Sequence, residues 1–533
     1  MTDDCIAKTG VVSRLLRCKD LSRIIKAKRI PPWPVPRPTQ DLPDKAVADE
    51  LVKAYLRTFE SVYRILHLPT FQQKYERVWG SGSKRDASFL VQLKLVFAIG
   101  AVVRDDTFSM RTSAMRWIYE ALAWATKPVS KSRLNIACLQ TSLLLLIARE
   151  VVGVDKDSIS VSAGALLRTA MHMGLHRDPK FLPKTSLYEA EMRRRLWNTI
   201  LEVMLQSSMS LGAPPLISLG DFDSEPPANY EDDQITCHDE GAAARPEYEF
   251  TQISTAIALR RTLPARIAVV RCLNQLGLQT SYPESLGVDR ELKAAYRELC
   301  QTLRSSAATS PFALRFVDYI MHRYMMSLHV PFLDPGLGDA TYAYSRKTAV
   351  DAALKAWSAA CPSTSIMTST DDEAVVSARD DLSRLISCGT GFFRSTAKIA
   401  ALVATAELQA TIMEESGLID HHQSSTLARE LMCIVEKATH WAIRCMHAGD
   451  VNARGPLLQA ILATHVNFLI QKGGEDKLSA LLIQAAEETS MACLSVLEET
   501  VGEKDKMRQQ EMCSNTPADR AQSWAFLVIS EAL

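Results

Sequence analysis

From Val47 almost to residue 500, the apolar residues of this chain recur at spacings of three and four, and nowhere do they alternate with polar ones as a half-buried strand requires. Val47, Leu51, Ala54, Tyr55 and Phe59 show the pattern first; Leu90, Leu93, Phe97 and Ile99 repeat it, then Met115, Trp117, Ile118 and Leu122. Further helical signals run over 132–149, 158–174, 187–211, 253–275, 286–306, 311–328, 343–360, 390–415, 422–446, 453–472 and 475–500. The fold class these spacings predict is all-α, with no appreciable sheet. The 187–211 segment is the best punctuated. Ser186 and Glu189 form a capping-box pattern, Met192, Leu196, Ile200 and Val203 form its core face, and Gly212-Ala213-Pro214-Pro215 ends it.

The 533 residues carry 61 Lys plus Arg against 61 Asp plus Glu, and 47% are hydrophobic, so a large core is affordable while no charge excess draws the whole surface to nucleic acid or anionic lipid. The acidic start Met1-Thr2-Asp3-Asp4-Cys5 does not resemble a secretory signal, and an intracellular chain is expected. The apolar stretches 89–103 and 143–148 are interrupted or short against the about 20 residues a bilayer needs, so no membrane span is expected. Twelve cysteines are scattered without a single CxxC, which leaves no local zinc ligand set and reads as small buried apolar residues.

Charge is local instead. Residues 1–40 hold nine bases (Lys8, Arg14, Arg17, Lys19, Arg23, Lys26, Lys28, Arg29, Arg37) against three Asp. Leu15, Leu16, Leu21, Ile24 and Ile25 are interleaved with them, predicting a short amphipathic helix. Arg14, Arg17, Lys19, Arg23, Lys26, Lys28 and Arg29 are the candidate phosphate or DNA contacts, and a solvated basic face is the plainer reading. Pro31, Pro32, Pro34, Pro36, Pro38 and Pro43 follow as a semi-rigid spacer. The organisation expected is 1–44 as basic helix and Pro-rich linker, 45–500 as one helical domain, and 501–533 as a C-terminal linker with a short amphipathic segment, Ser523 to Ile529. Residues 213–244, with eight acids and no Lys or Arg, read as a solvated acidic loop, and 359–373 as a Ser/Thr-rich link.

No GxGxxG, GxxxxGK[ST], GxSxG or HExxH occurs, so no enzyme is indicated. His172 and His176 have a metal-compatible spacing, but Gly174 and Arg177-Asp178-Pro179 place them where a helix ends, and packing there is the reading preferred. His421-His422 reads as polar residues at a helix start, and Cys361-Pro362, a dipeptide that can offer haem a thiolate, stands alone. Asp221, Asp223 and Glu225 lack the turn glycine and closing glutamate of a calcium loop.

A more specific pattern spans 137–233. Cys138-Leu139-Gln140-Thr141-Ser142 leads to Leu166-Leu167-Arg168-Thr169-Ala170-Met171-His172-Met173-Gly174-Leu175-His176-Arg177-Asp178-Pro179, then Arg193-Arg194-Arg195-Leu196-Trp197, Gly212-Ala213-Pro214-Pro215, and Asp221 to Asn229. Tyr63-Arg64-Ile65-Leu66-His67-Leu68-Pro69 and Leu328-His329-Val330-Pro331-Phe332 add to it. The set resembles the middle homology region of fungal zinc-cluster transcription factors, in the branch that includes haem-responsive activators. The departures are Asn198 for a second Trp, Ala213 for Arg, Glu202 for Asp, and Val330 for Arg.

That resemblance implies an all-helical regulatory region C-terminal to a six-cysteine, two-zinc DNA-reading cluster. No such cluster is present in these residues, and the Arg14–Arg29 segment looks like the linker that follows one; either an upstream exon is missing or the protein lacks the module. The function expected is a pathway-specific transcription regulator in the nucleus, touching DNA weakly alone or through a family partner as homo- or heterodimer, and answering a small-molecule effector. The alternatives are a regulator-like scaffold repurposed to bind or transform a small molecule, and a co-regulatory partner that does not read DNA. No catalytic residue, cofactor or metal ligand transfers with the resemblance. For Arg193 to Trp197, the arginines are expected to pair with carboxylates and Trp197 to fill the core, the other reading being contact with an effector or partner.

Overall fold

A computed structural model describes residues 10–31, 39–80, 85–126, 134–183, 185–235, 243–275, 281–304, 309–362, 380–415, 426–471 and 475–502. Among these the chain is helical and contains no strand. The main helices in chain order are α1 (Val11–Arg29), α2 (Lys45–Arg57), α3 (Phe59–Tyr63), α4 (Leu68–Trp79), α5 (Ala87–Ala101), α6 (Arg111–Ala125), α7 (Ile136–Val152), α8 (Ile159–His172) and α9 (Leu187–Leu211). They continue as α10 (Ser254–Arg261), α11 (Leu263–Asn274), α12 (Tyr282–Arg304), α13 (Pro311–His329), α14 (Ala343–Ala360), α15 (Asp381–Cys388), α16 (Gly391–Glu415), α17 (Thr426–His447), α18 (Arg454–Ile470) and α19 (Glu475–Val501). The all-α expectation holds, and α9 and α14 run between the residues the periodicity indicated. Cys5, the spacer residues 32–38, residues 236–242 of the acidic loop, residues 363–373 of the Ser/Thr-rich link, His421-His422 and the 523–529 segment lie outside the described residues.

The described residues within 32–333 and 362–396 form one compact unit. Its central helix is α5, buried continuously from Phe89 to Ala101, with α2, α6 and α7 packed around it. A helix apolar on every side needs neighbours on every side, which is why its sequence lacks a polar face. Two features make the fit close. A Cβ on Gly100 would overlap the Leu51 carbonyl of α2, so only glycine allows that approach. Lys94, 1% exposed, pairs with Glu120 of α6 at 2.6 Å and donates to the Thr39 carbonyl at 2.8 Å, which anchors the chain just before α2.

At the end of α8, Leu175 N–H reaches the Ala170 carbonyl and Gly174 N–H the Met171 carbonyl, with Gly174 at φ 77°. This Schellman closure needs the left-handed conformation glycine tolerates. Then α9 starts where Ser186 Oγ accepts the Glu189 N–H at 3.2 Å and stops at Gly212, φ 63°. Met192, Leu196, Ile200 and Val203 are all buried on it as expected, but so are Glu191, Arg195, Thr199, Glu202 and Gln206.

The described residues within 1–31, 334–361 and 397–533 form the other unit. Its α1 differs from the solvated basic helix of the sequence reading. Cys18, Leu21 and Ile25 join Met446, Cys493, Val496 and Leu497 in one apolar cluster, while Val11 packs with Leu457, Ile461, Leu482 and Ala486. The structure thus groups α1 with α17, α18 and α19 rather than leaving it as a separate 1–44 segment. The physical reason is that its apolar residues recur as one continuous stripe, which a helix can remove from water only against another helix. By length and composition Lys477–Val501 is apolar enough to cross a bilayer, a point the sequence reading missed, yet it is this helix that carries Leu482, Ala486, Cys493 and Leu497 into the clusters. Arg346 of α14, paired with Glu407 at 2.7 Å and Glu414 at 2.6 Å, and Trp357 against Trp441 complete the unit. Leu21 is fully buried, so Leu21→Ala is expected to cost about 2–5 kcal/mol of this unit's stability in urea unfolding. A cost below about 0.5 kcal/mol, that of an ordinary surface substitution, would mean that α1 is not packed.

Candidate functional site

The three arginines of the Arg193-Arg194-Arg195 run leave α9 in different directions, because successive residues on a helix are separated by about 100°. Arg193 Nη2 donates to the Met173 carbonyl at 2.6 Å, bracing the end of α8. Arg194 meets Asp178 through Nε at 3.0 Å and Nη2 at 2.8 Å, and its Nη1 meets Glu191 at 2.7 Å. Arg195, fully buried, reaches Asp232 at 2.6 Å. One motif therefore fastens three separate segments to one helix. Trp197 is buried against Phe222 at 5.8 Å between ring centroids and His176 at 6.4 Å.

Asp232 is where these ties converge. Its Oδ1 accepts from Arg64 and Arg195, both at 2.6 Å, its Oδ2 accepts from Leu68 N–H at 2.9 Å, and its carbonyl contacts His67 Nε2 at 2.8 Å. Arg64 sits at φ 55°, a left-handed conformation uncommon outside glycine, held here by that pairing. Burial alone would raise the Asp232 carboxyl, but Arg64 and Arg195 outweigh it and bring it down to about 2. Asp178 is likewise opposed by burial and drawn down to about 2 by Arg194 and the N–H groups of Lys180 and Glu225. Burial instead pushes Glu60 up to about 7, where it accepts from Tyr55 OH at 2.7 Å and Leu66 N–H at 2.9 Å.

The described part of the acidic stretch is tied to its neighbours at several points, while Asp221, Asp223, Glu225 and Asp233 stay exposed as expected of a solvated loop. Asp221 accepts from Ser218 N–H, Asp223 from Asp178 N–H, Glu225 pairs with Lys180, and Asn229 donates to the Pro246 and Glu249 carbonyls at 2.8 Å. The carboxylates at 221, 223 and 225 each serve a different partner rather than one cation. Among the family departures, Glu202 pairs bidentately with Arg266, both contacts 2.7 Å, inside the core.

A cleft of about 460 Å³ opens beside this network. Phe71, Phe89, Met173 and Tyr188 contribute apolar wall, and Gln92, Gln140, Lys74, Arg193 and Glu189 are among its polar members. Sequence reasoning missed it, because α4, α5, the start of α7 and the start of α9 supply it from positions over a hundred residues apart. Isolated polar residues within apolar runs, Gln92 in α5 and Gln140 in α7, were the available signal.

Of the basic candidates, Arg14 pairs with Glu487 at 3.3 Å and donates to Ser490 Oγ at 3.0 Å, Lys28 donates to the Val501 carbonyl at 3.2 Å, and Arg29 to the Gly449 carbonyl at 3.0 Å. Burial holds the Arg29 guanidinium below its usual value. Arg23, paired with Asp20, and Lys26 are exposed, while Arg17 and Lys19 are half-buried. The structure does not gather all seven on one open face. His172 is exposed and His176 half-buried, its carbonyl accepting from Asp223 and Ser224 N–H, and Cys361 Sγ accepts from Arg444 at 3.4 Å. Among the described residues no group of three His, Cys, Asp or Glu side chains is placed to hold a metal.

Asp232 and Asp178, held near about 2, contribute stability that is complete above their unfolded value of about 3.9 and lost as pH falls through about 2. Glu60, raised to about 7, has the opposite sign: its contribution is complete below about 4.3 and lost as pH rises to about 7. In urea unfolding between pH 2 and 8, Asp232→Asn is expected to cost about 3–5 kcal/mol near neutrality and flatten the acid limb. Glu60→Gln should gain on the wild type from pH 5 to 8; parallel profiles for all three proteins would refute both assignments.

Residues 52–276, which contain this network, match the family described as the fungal specific transcription factor domain. The chain is 35% identical over 432 residues to the transcription factor opdR of Penicillium oxalicum, covering 77% of this chain and 53% of that protein. It is 30% identical over 504 residues to the transcription factor asR3 of Sarocladium schorii, covering 88% of this chain and 58% of the relative. To the aspyridones cluster regulator apdR of Emericella nidulans it is 31% identical over 290 residues, covering 51% and 39%. The chain therefore spans about half the length of these two curated transcription factors, opdR and asR3. No solved structure matches it. Residues 52–276, which include Arg64, Arg193–Trp197 and Asp232, belong to the fungal specific transcription factor domain family.

Proposed function

We propose that this chain is a nuclear, pathway-specific transcription regulator whose 45–333 region is the part that answers a signal. The observation that carries the reading is the match of 52–276 to the fungal transcription factor domain, with relatives named as transcription factors and one as the aspyridones cluster regulator. The arrangement of residues supports a regulatory rather than catalytic role. The charged groups of this network tie segments together, as Arg194 and Arg195 do with Asp178 and Asp232. The ties also join the rim of an effector-sized cleft to loops far along the chain, so that a ligand favouring one arrangement shifts the population of the whole unit.

Base reading is assigned to a zinc cluster outside these 533 residues, which contain no CxxC, with the protein acting as a homo- or heterodimer. From this chain, the exposed Arg23 and Lys26 are the side chains of α1 best placed to add phosphate contacts. Deleting the gene and sequencing transcripts is expected to change a limited set of co-regulated genes; an unchanged transcriptome under conditions where the protein is made would overturn the reading. Arg23→Gln with Lys26→Gln is expected to reduce the salt slope of DNA retention by about 1 for each phosphate pairing removed, measured by fluorescence anisotropy from low to moderate salt. An unchanged slope removes α1 from the DNA-binding surface without touching the regulatory reading.

A further inference from the structure

We propose that the cleft between α4, α5, the start of α7 and the start of α9 binds a small organic acid, with a ring-bearing or branched apolar body and a carboxylate. The inference rests on the regulatory reading above and names the class of effector. The cleft's volume, about 460 Å³, falls within the range of small-molecule sites. Its walls are ring-rich, from Phe71, Phe89 and Tyr188, and Ile136 and Met173 supply adaptable aliphatic surface.

The polar groups decide the ligand class. Gln92, 7% exposed, lines the cleft, and its Nε2 has no hydrogen-bond partner among the described residues. Arg193 Nε, also buried, is likewise without a partner, although Nη2 of the same group braces Met173. Lys74, exposed and 5.8 Å from the centroid of Phe89, has no carboxylate partner among the described residues. These are three donors without acceptors. The acid nearest them, Glu189, lies 3.7 Å from Arg193 Nη1 and is half exposed.

His67 in the wall adds no charge to this balance. Its Nδ1 lies 2.7 Å from Thr70 Oγ1 and its Nε2 2.8 Å from the Asp232 carbonyl, and burial holds the imidazole below its ordinary value, so it is neutral. Two cations and an amide against one acid select an anion bearing acceptor oxygens. The guanidinium and the buried amide would fix the carboxylate, and the rings its body. Because Leu68 N–H and His67 are bonded to Asp232, and Arg193 to Met173, an occupant of the cleft bears directly on the ties that hold the loop and the end of α8.

The test is binding, read without any transcription. Full-length protein is titrated calorimetrically with a panel of aryl and branched alkyl carboxylates, such as biphenyl-4-carboxylate and 3-phenylpropanoate, each paired with its uncharged primary amide. At least one acid is expected to bind at least about tenfold tighter than its amide, the value of one charge-assisted hydrogen bond. Lys74→Gln should weaken that acid severalfold and Gln92→Leu about tenfold or more. Ala137→Phe, at an exposed position lining the same cleft, should abolish binding by occupying it. Melting temperatures without ligand report folding, and Lys74→Gln and Ala137→Phe, at exposed positions, keep the test valid should Gln92→Leu fold poorly. The proposal is overturned if no acid is preferred to its amide, or if the preference survives both Lys74→Gln and Ala137→Phe. Either result leaves the transcriptional reading standing, since that reading is tested by the gene set.

Discussion

The Asp232 carboxylate, shared between Arg64 and Arg195 and closed by the N–H of Leu68, is the interaction on which the central unit depends. Ionic groups this deep gain little over an apolar pair of the same shape, because the cost of leaving water roughly cancels their attraction. What they add is geometric definition. A carboxylate with two oxygens and three donors accepts one arrangement of α3, α4, α9 and the 230–235 turn, whereas apolar faces tolerate sliding. Removing Asp232 would strand two guanidinium charges in the core, whereas removing either arginine would leave the other paired.

The same logic recurs along α9. Glu191 accepts the Ala228 N–H, Arg193 and Arg194 hold the end of α8 and the Asp178 turn, and Glu202 holds Arg266 on α11. A long helix buried on most of its circumference is thus used as a post, with polar ties at successive turns fixing the loops and helices that surround it. Arg193 and His67, both at the cleft, belong to the same set of ties, the first through the Met173 carbonyl and the second through the Asp232 carbonyl.

Much of this was legible in the residues. Periodicity located the helices because burying one face of a helix demands it, and Ser186 and Gly212 marked the ends of α9 because orphan N–H groups and a left-handed residue must be supplied there. Arginines pairing with carboxylates around a buried Trp197 followed from the cost of burying charge unpaired. Which carboxylates was not legible. Asp232 stood among eight acids in a stretch without bases, and its partners lie 37 and 168 residues away. Composition pointed to a solvated loop there, since it cannot register bases supplied from elsewhere in the chain.

By itself, then, the sequence determined the helical class, the ends of α9, the family resemblance and the need for buried ion pairing, all properties set by local spacing and by residue chemistry. Only the tertiary structure decided that α1 buries its apolar stripe against α18 and α19 with Arg14, Lys28 and Arg29 engaged there, that Asp232 is the shared acceptor, and that Gln92, Lys74 and Arg193 converge on one cleft. Each is a meeting of side chains from distant positions, and nothing in helical periodicity encodes which face of one helix will be set against which face of another.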